Sequence, residues 1–91
     1  MLQTNLDIDA LRQSADAATG FLRILANPDR LLLLCQLADG ERCVSELEAE
    51  TGITQPTLSQ QLAVLRREQL VLTRRDGKHI YYRIADSRVL T

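Results

Sequence analysis

Apolar positions along this 91-residue chain follow a period near 3.6 through most of its length and a period of two near its end. Leu6, Ile8, Leu11, Ala15, Ala18, Leu22 and Leu25 recur mostly three and four residues apart, with Arg12, Asp16 and Arg23 between them. That spacing predicts an amphipathic helix from about Asp7 to Ala26, with Thr4 or Asn5 placed to cap its start. Gly20 inside it lowers helix propensity by up to about 1 kcal/mol, unless a small residue is needed there for close packing. The helix is long for merely covering a domain of this size. Part of its apolar face is therefore expected to meet a partner subunit, the alternative being that it packs wholly within one subunit.

Asn27-Pro28 interrupts this pattern, because the residue before proline is pushed out of the helical region while proline suits a first helical turn. A second helix is expected from Pro28 to about Ala38, with Leu31, Leu34, Cys35 and Leu37 inward and Asp39-Gly40 as its stop. Cys35, within LLLLCQL, reads as a buried structural thiol.

The stretch from Cys43 to Leu70 organises the rest. Gly52 supplies a turn between two short helices, the first carrying Glu46, Leu47 and Glu50, the second placing Leu58, Leu62 and Leu65 on one face. Thr54 is the expected cap of that second helix, with Gln55 and Pro56 in its first turn, and Arg66 and Arg67 close it where positive charge suits a helix C-terminus. Gln69 stands where a glycine would make the easier exit. The face opposite the leucines carries Gln55, Ser59, Gln60 and Ala63, short polar and small groups where a helix kept only for solubility would carry Lys and Glu. Two helices about a tight turn, the second offering amides and hydroxyls outward, form a helix-turn-helix suited to a DNA major groove. Gln pairs with adenine edges, and Ser and Thr reach bases or phosphates, so Gln55, Thr57, Ser59 and Gln60 are the candidate readers.

Past this helix the period of two predicts one strand over Leu70–Arg74 and another over His79–Ile84, joined through Arg75-Asp76-Gly77-Lys78, a strong hairpin signal. One of Tyr81 and Tyr82 is expected to pack inward and the other to face out. A hairpin tipped with Arg74, Arg75 and Lys78 is a wing able to reach phosphates or the minor groove, the alternative being a plain exposed hairpin. From Asp86, DSRVLT reads as the first turn of a further helix capped by Asp86 or Ser87, and the natural protein is expected to continue. The fold class is mainly α with a two-stranded β wing, a winged helix-turn-helix forming a single domain over residues 1–91.

Composition and charge refine this picture. Apolar residues at 45% and aromatics at 3% place the chain among globular proteins, and a core this small, burying about 60% of the unfolded surface, favours a partner subunit. No apolar run of about eighteen residues and no leader pattern occurs, so no membrane association is expected and the location is cytoplasmic by default. The net charge of −1 argues against nucleic acid until its distribution is read. Residues 1–53 carry four Arg against nine Asp and Glu (−5), whereas residues 54–83 carry five Arg and one Lys against Glu68 and Asp76 (+4). A positive half orients a polyanion even on a neutral molecule, although clustered Arg also occurs as plain solvated surface. Arg66, Arg67, Arg74, Arg75 and Lys78 are the candidate phosphate contacts.

Cys43 differs from Cys35, since a helix is expected to start just after it and Glu46 stands three residues on, in the place of a capping glutamate. Exposed amides at a helix start and neighbouring Arg42 favour a thiolate, while Glu41 and Glu46 oppose it, so Cys43 is the candidate redox-sensing thiol with an inert cysteine as the alternative. Cys35, Cys43 and the lone His79 do not make a common zinc spacing, so neither a metal site nor a cofactor is expected. One histidine and no convergent acid–base pair leave no obvious means of general acid–base catalysis, so the chain is not expected to be an enzyme.

From about Phe21 to Ile84 the chain resembles the ArsR/SmtB family of small bacterial winged helix-turn-helix repressors. The resemblance rests on the NPDR segment at Asn27–Arg30, the S-x-x-L-x-x-L helix at Ser59, Leu62 and Leu65, and the RDGKHIYY wing from Arg75 to Tyr82. It implies a homodimer built from the first and last helices, the last being incomplete here, that sits on palindromic operator DNA and leaves when a small inducer binds. The family's soft-metal sensors carry ELCVCDL where this chain has Glu41-Arg42-Cys43-Val44-Ser45-Glu46-Leu47, so the first cysteine is kept and the second is Ser45. That single cysteine resembles the metal-independent, BigR-like branch, which implies reactive sulfur or an oxidant as the signal and a second cysteine on the terminal helix, beyond Thr91. A soft-metal-responsive repressor is the alternative inducer reading, and a protein-interaction module the alternative class. Gln61 occupies a place often held by His in the family.

Overall fold

The computed structural model describes residues 8–85. Its elements are α1 (Ile8–Leu25), α2 (Pro28–Ala38), β1 (Arg42–Cys43), α3 (Val44–Thr51), α4 (Thr57–Arg67), β2 (Val71–Asp76) and β3 (His79–Ile84). The expected cap at Thr4 or Asn5 and the expected helix from Asp86 lie outside the described residues.

Each helix begins and ends where its local chemistry requires. Asn27 is extended at the head of α2 and its side-chain oxygen accepts the Arg30 N–H at 3.1 Å, with Pro28 in the first turn. Gly52 closes α3 in the left-handed region at φ 77°, its N–H donating to the Glu48 carbonyl, which no β-carbon-bearing residue does as cheaply. α4 ends in a Schellman turn: the Leu70 N–H reaches the Leu65 carbonyl at 2.9 Å and the Gln69 N–H the Arg66 carbonyl at 3.0 Å. Gln69 therefore adopts φ 63°, the only positive φ outside glycine among the described residues. This is the position at which glycine was expected to be the easier exit.

The core gathers Leu33, Leu34 and Leu37 of α2, Leu47 of α3, Ile53 of the turn, Leu58, Leu62 and Leu65 of α4, and Leu70 and Val71 at the start of the wing. Phe21, Ile24 and Leu25 from the end of α1 lean on it, as do Tyr82 and Ile84 from β3. The spacing of the α4 leucines is thus the buried stripe that their period predicts. α2 departs from expectation. Leu34 and Leu37 point inward, but Leu31 and Cys35 are exposed and Leu33 takes the inner place. Four successive leucines carry no phase, so the rotation of α2 is set by contacts that the apolar pattern does not contain.

The wing forms as expected, with β2 and β3 antiparallel in register from Val71 opposite Ile84 to Asp76 opposite His79. The hairpin turn is therefore Gly77-Lys78, with Gly77 at φ 65° in the first central position, rather than centred on Asp76-Gly77. A third strand joins the sheet: the two residues of β1 pair with β3, Arg42 opposite Tyr82 and Cys43 opposite Tyr81, giving the order β1-β3-β2. Tyr82 packs against the core, while Tyr81 points to the opposite face by alternation along the strand.

Candidate nucleic-acid interface

α4 turns its leucines fully inward, and that fixes what it shows to water. Ser59, Gln60, Ala63, Arg66 and Arg67 are exposed, and Thr57 is half-buried at the first turn. The helix begins at Thr57, two residues later than a Thr54 cap implies. The chain makes one helical turn across Pro56, with the Leu58 N–H bonded to the Thr54 carbonyl at 2.9 Å, and the capping side chain is that of Gln55. Its amide oxygen accepts the Ser59 N–H at 3.1 Å. Gln55 is thus exposed at the head of the helix, with one of its two polar groups spent on the backbone.

The exposed face of α4 lies beside the wing. Ser59, Ala63, Arg66 and Arg67 line one side of a groove of about 450 Å³ whose other side is Tyr82 of β3. Arg66 also joins Gln69, Val71, Leu72 and Thr73 around a neighbouring hollow at the root of β2. Helix face and hairpin therefore form one continuous surface.

The positive charge on that surface is more selective than a count of arginines implies. Arg74 is tied down: Nε and Nη2 each donate to a different oxygen of Glu41 at 2.7 Å, the guanidinium lies 4.6 Å from the Tyr81 ring centroid, and Asp76 sits 3.7 Å away. The hydrogen bond from Arg74, and then the charges of Arg74 and Arg83, hold the Glu41 carboxyl below its ordinary value of 4.5 against some desolvation. Arg67 has Glu68 at 3.8 Å on an exposed flank. Arg66, Arg75, Lys78 and Arg83 are exposed and make no ion pair among the described residues. Arg75 and Lys78 flank the hairpin tip, where Arg75 Nε touches the Gly77 carbonyl at 3.4 Å. Arg83 was counted in the charge balance but not among the candidate contacts; it is exposed on β3, on the face of Tyr81 rather than that of Tyr82.

Cys43 caps α3, its N–H donating to the Glu46 carboxylate at 2.9 Å. That backbone bond first, and the thiol second, hold the Glu46 carboxyl below its ordinary value of 4.5. The sulfur lies 3.2 Å from Ser45 Oγ, so the residue standing in place of a second cysteine is within hydrogen-bonding distance of the thiol. Arg42, expected to favour a thiolate, is instead clamped on Glu50, with Nε 3.0 and 3.2 Å from the two carboxylate oxygens. Accessibility inverts the expected contrast between the cysteines: Cys43 is 6% exposed and Cys35 is open to solvent. Cys43 is nevertheless outside the main apolar cluster, lying between the head of α3 and β3. Among the described residues no three His, Cys, Asp or Glu side chains gather as metal ligands, and no helix is long and apolar enough to cross a membrane.

Comparison with known proteins places this architecture. The family model described as "Bacterial regulatory protein, arsR family" matches residues 27–73, from the cap of α2 into β2. The biofilm growth-associated repressor of Agrobacterium fabrum is 48% identical over 83 residues, spanning 91% of this chain and 71% of that protein. The crystal structure of the transcriptional repressor BigR from Xylella fastidiosa superposes with a TM-score of 0.84 at 43% identity, covering 92% of this chain and 86% of that one. A homodimeric winged helix-turn-helix DNA-binding domain from Mycobacterium bovis superposes with a TM-score of 0.71 at 38% identity, covering 97% and 80%.

Proposed function

The chain belongs to the bacterial arsR family of regulatory proteins, and on that footing we propose that it is a homodimeric repressor of transcription that binds palindromic operator DNA and releases it on a thiol-directed signal. The observation that carries the DNA reading is the shared surface of α4 and the wing: Ser59, Ala63, Arg66 and Arg67 facing Tyr82 across one groove, with Ser59, Gln60 and Ala63 exposed. Seated in a major groove, this helix offers Gln60, Ser59 and Thr57 to base edges and the free amide of Gln55 at its head. Arg66 and Arg67 meet phosphates beside the helix, while Arg75 and Lys78 meet them from the wing. Arg74 acts differently: clamped to Glu41, it braces the wing against the loop before β1. Similarity to the homodimeric domain, together with the exposed Ile8, Leu11 and Leu22 on α1, supports the second subunit.

The signal reading rests on where Cys43 stands. It ends β1, caps α3 and is paired with Tyr81 of the wing, so this residue borders both the wing and the helix that precedes α4. A reactive sulfur species or oxidant that adds atoms to this confined sulfur must displace either the head of α3 or β3. Because α4 follows α3 directly through the Gly52 turn, a shift of α3 is expected to carry α4 with it. The test is operator affinity of the wild type and of Cys43→Ser before and after polysulfide treatment. Release of the wild type alone is expected; equal release of both proteins removes Cys43 from the mechanism.

A further inference from the structure

Arg30 and Gln61 take no part in the surface just described, yet they are joined across 31 positions of sequence. The chemistry begins with Pro28. An α-helical carbonyl is satisfied by the N–H four residues on, and for Ile24 that residue is Pro28, which has none. The orphaned Ile24 carbonyl at the end of α1 is taken up by Arg30, whose Nε donates to it at 2.7 Å. The same guanidinium donates through Nη1 to Gln61 Oε1 at 3.1 Å. Gln61 is half-buried on α4, beside but not on the face that carries Ser59 and Gln60.

What lies between α1 and α4 makes this bridge consequential. The two helices are separated by a groove of about 590 Å³ whose walls include Ala17, Gly20 and Ile24 of α1 and Val64 and Arg67 of α4, with Arg30 in its side. Packed side chains normally hold two elements at a fixed distance because interiors are dense and stiff. Here an open groove lies between them, and the planar, two-headed guanidinium on its side bonds to both helices with a geometry that an ammonium does not reproduce. Arg30 makes no ion pair among the described residues, so its hydrogen-bonding capacity is directed to this link.

We propose that Arg30 is a positioning residue for operator recognition: by tying the end of α1 to Gln61 of α4 it sets the separation of the two reading helices in the dimer, and hence the half-site spacing that the protein accepts. This rests on the operator reading above and adds to it the element that measures distance. A spacing change of one base pair displaces a half-site by about 3.4 Å along the duplex, so a rigid link rejects it and a loose one tolerates it.

The experiment compares wild type, Gln61→Leu, Gln61→Glu and Arg30→Lys, as the full chain, on inverted-repeat duplexes whose central spacer is optimal, shortened or lengthened by one base pair. Gln61→Leu removes the acceptor and leaves the Ile24 bond intact, so it serves even where Arg30→Lys fails to fold. The wild type is expected to lose about tenfold or more in affinity on either altered spacer, the size of one lost base contact. Gln61→Leu and Arg30→Lys are expected to bind the optimal spacer about tenfold more weakly, to discriminate among spacers by about threefold or less, and to keep wild-type affinity for non-operator DNA. Gln61→Glu, which restores an acceptor, is expected to restore discrimination. A folded Gln61→Leu protein with wild-type spacer discrimination, or with an equal loss on every duplex, overturns the inference. A wild type indifferent to inverted repeats overturns the operator reading, and the inference with it.

Discussion

α4 sinks Leu58, Leu62 and Leu65 to essentially complete burial and presents small polar groups to water, whereas α1 buries none of its residues and leaves Ile8, Leu11 and Leu22 at 59, 51 and 61% exposure. Both are amphipathic. The difference lies in what the second face is for. On α4 the apolar stripe is spent inside the subunit, which frees its polar face to be specific. On α1 only the last turns lean on the core through Phe21, Ile24 and Leu25, and a second apolar stripe, about 100° further round the helix, faces away. One helix is fixed by its apolar face; the other keeps an apolar stripe uncovered within the described subunit.

The largest effect that separates the two is on folding. Leu62→Ala in α4 is expected to cost about 2–5 kcal/mol of subunit stability, as for a leucine deleted from a close-packed core. Leu11→Ala in α1 is expected to cost less than about 0.5 kcal/mol in a dilute, dissociated sample, as for a surface substitution. Denaturant titration checks both, and comparable losses would dissolve the contrast. Next in size is assembly: Leu11→Glu is expected to weaken dimerisation by about tenfold or more, since it places a charge on an apolar contact, with the subunit fold unchanged. Sedimentation equilibrium reads this directly, and an unaltered dimer would mean that another surface joins the subunits.

Smaller in energy is the exit from α4. Gln69 at φ 63° has a conformation that glycine adopts without its β-carbon penalty, at the expense of a more flexible unfolded chain. Gln69→Gly is therefore expected to raise stability by roughly 0.5–1 kcal/mol, seen as a higher denaturation midpoint. The smallest effect distinguishes the wing arginines. Arg75→Ala should reduce the slope of log affinity against log salt by about one, whereas Arg74→Ala should leave it nearly unchanged because Glu41 already holds that charge. Glu41→Gln should release Arg74 and steepen the slope. Acid should act in the same direction: because the folded carboxyl titrates below 4.5, the clamp is intact above that value and is lost as pH falls through the depressed one.

How much of this was legible in sequence depended on range. α2 runs from Pro28 to Ala38 as its punctuation requires, and α4, the hairpin and the awkward exit at Gln69 were all visible, because each is decided by residues within a few positions of one another. The rotation of α2 was not, since its leucine run has no phase, and so Cys35 was assigned to the interior that Leu33 occupies. β1 escaped notice because two residues carry no period. The cap of α4 was sought in the hydroxyl of Thr54 although the amide of Gln55 supplies it. Arg74 was read as a phosphate contact because Glu41, 33 residues earlier, is invisible to local spacing, and the same holds for Arg30 with Gln61. At the candidate site, sequence identified the exposed polar face of α4, and folding decided which charges remain free around it.

The most direct test is the selection of duplexes from a random library by the wild type and by Gln60→Ala, followed by affinity measurements across salt concentrations. The wild type should recover an inverted repeat with half-sites about one helical turn apart and bind it more weakly as salt rises. Gln60→Ala should keep the salt slope and lose preference at one position of each half-site. Recovery of no repeat by the wild type, or an unaltered base preference in the variant, would contradict the claim that the polar face of α4 reads DNA.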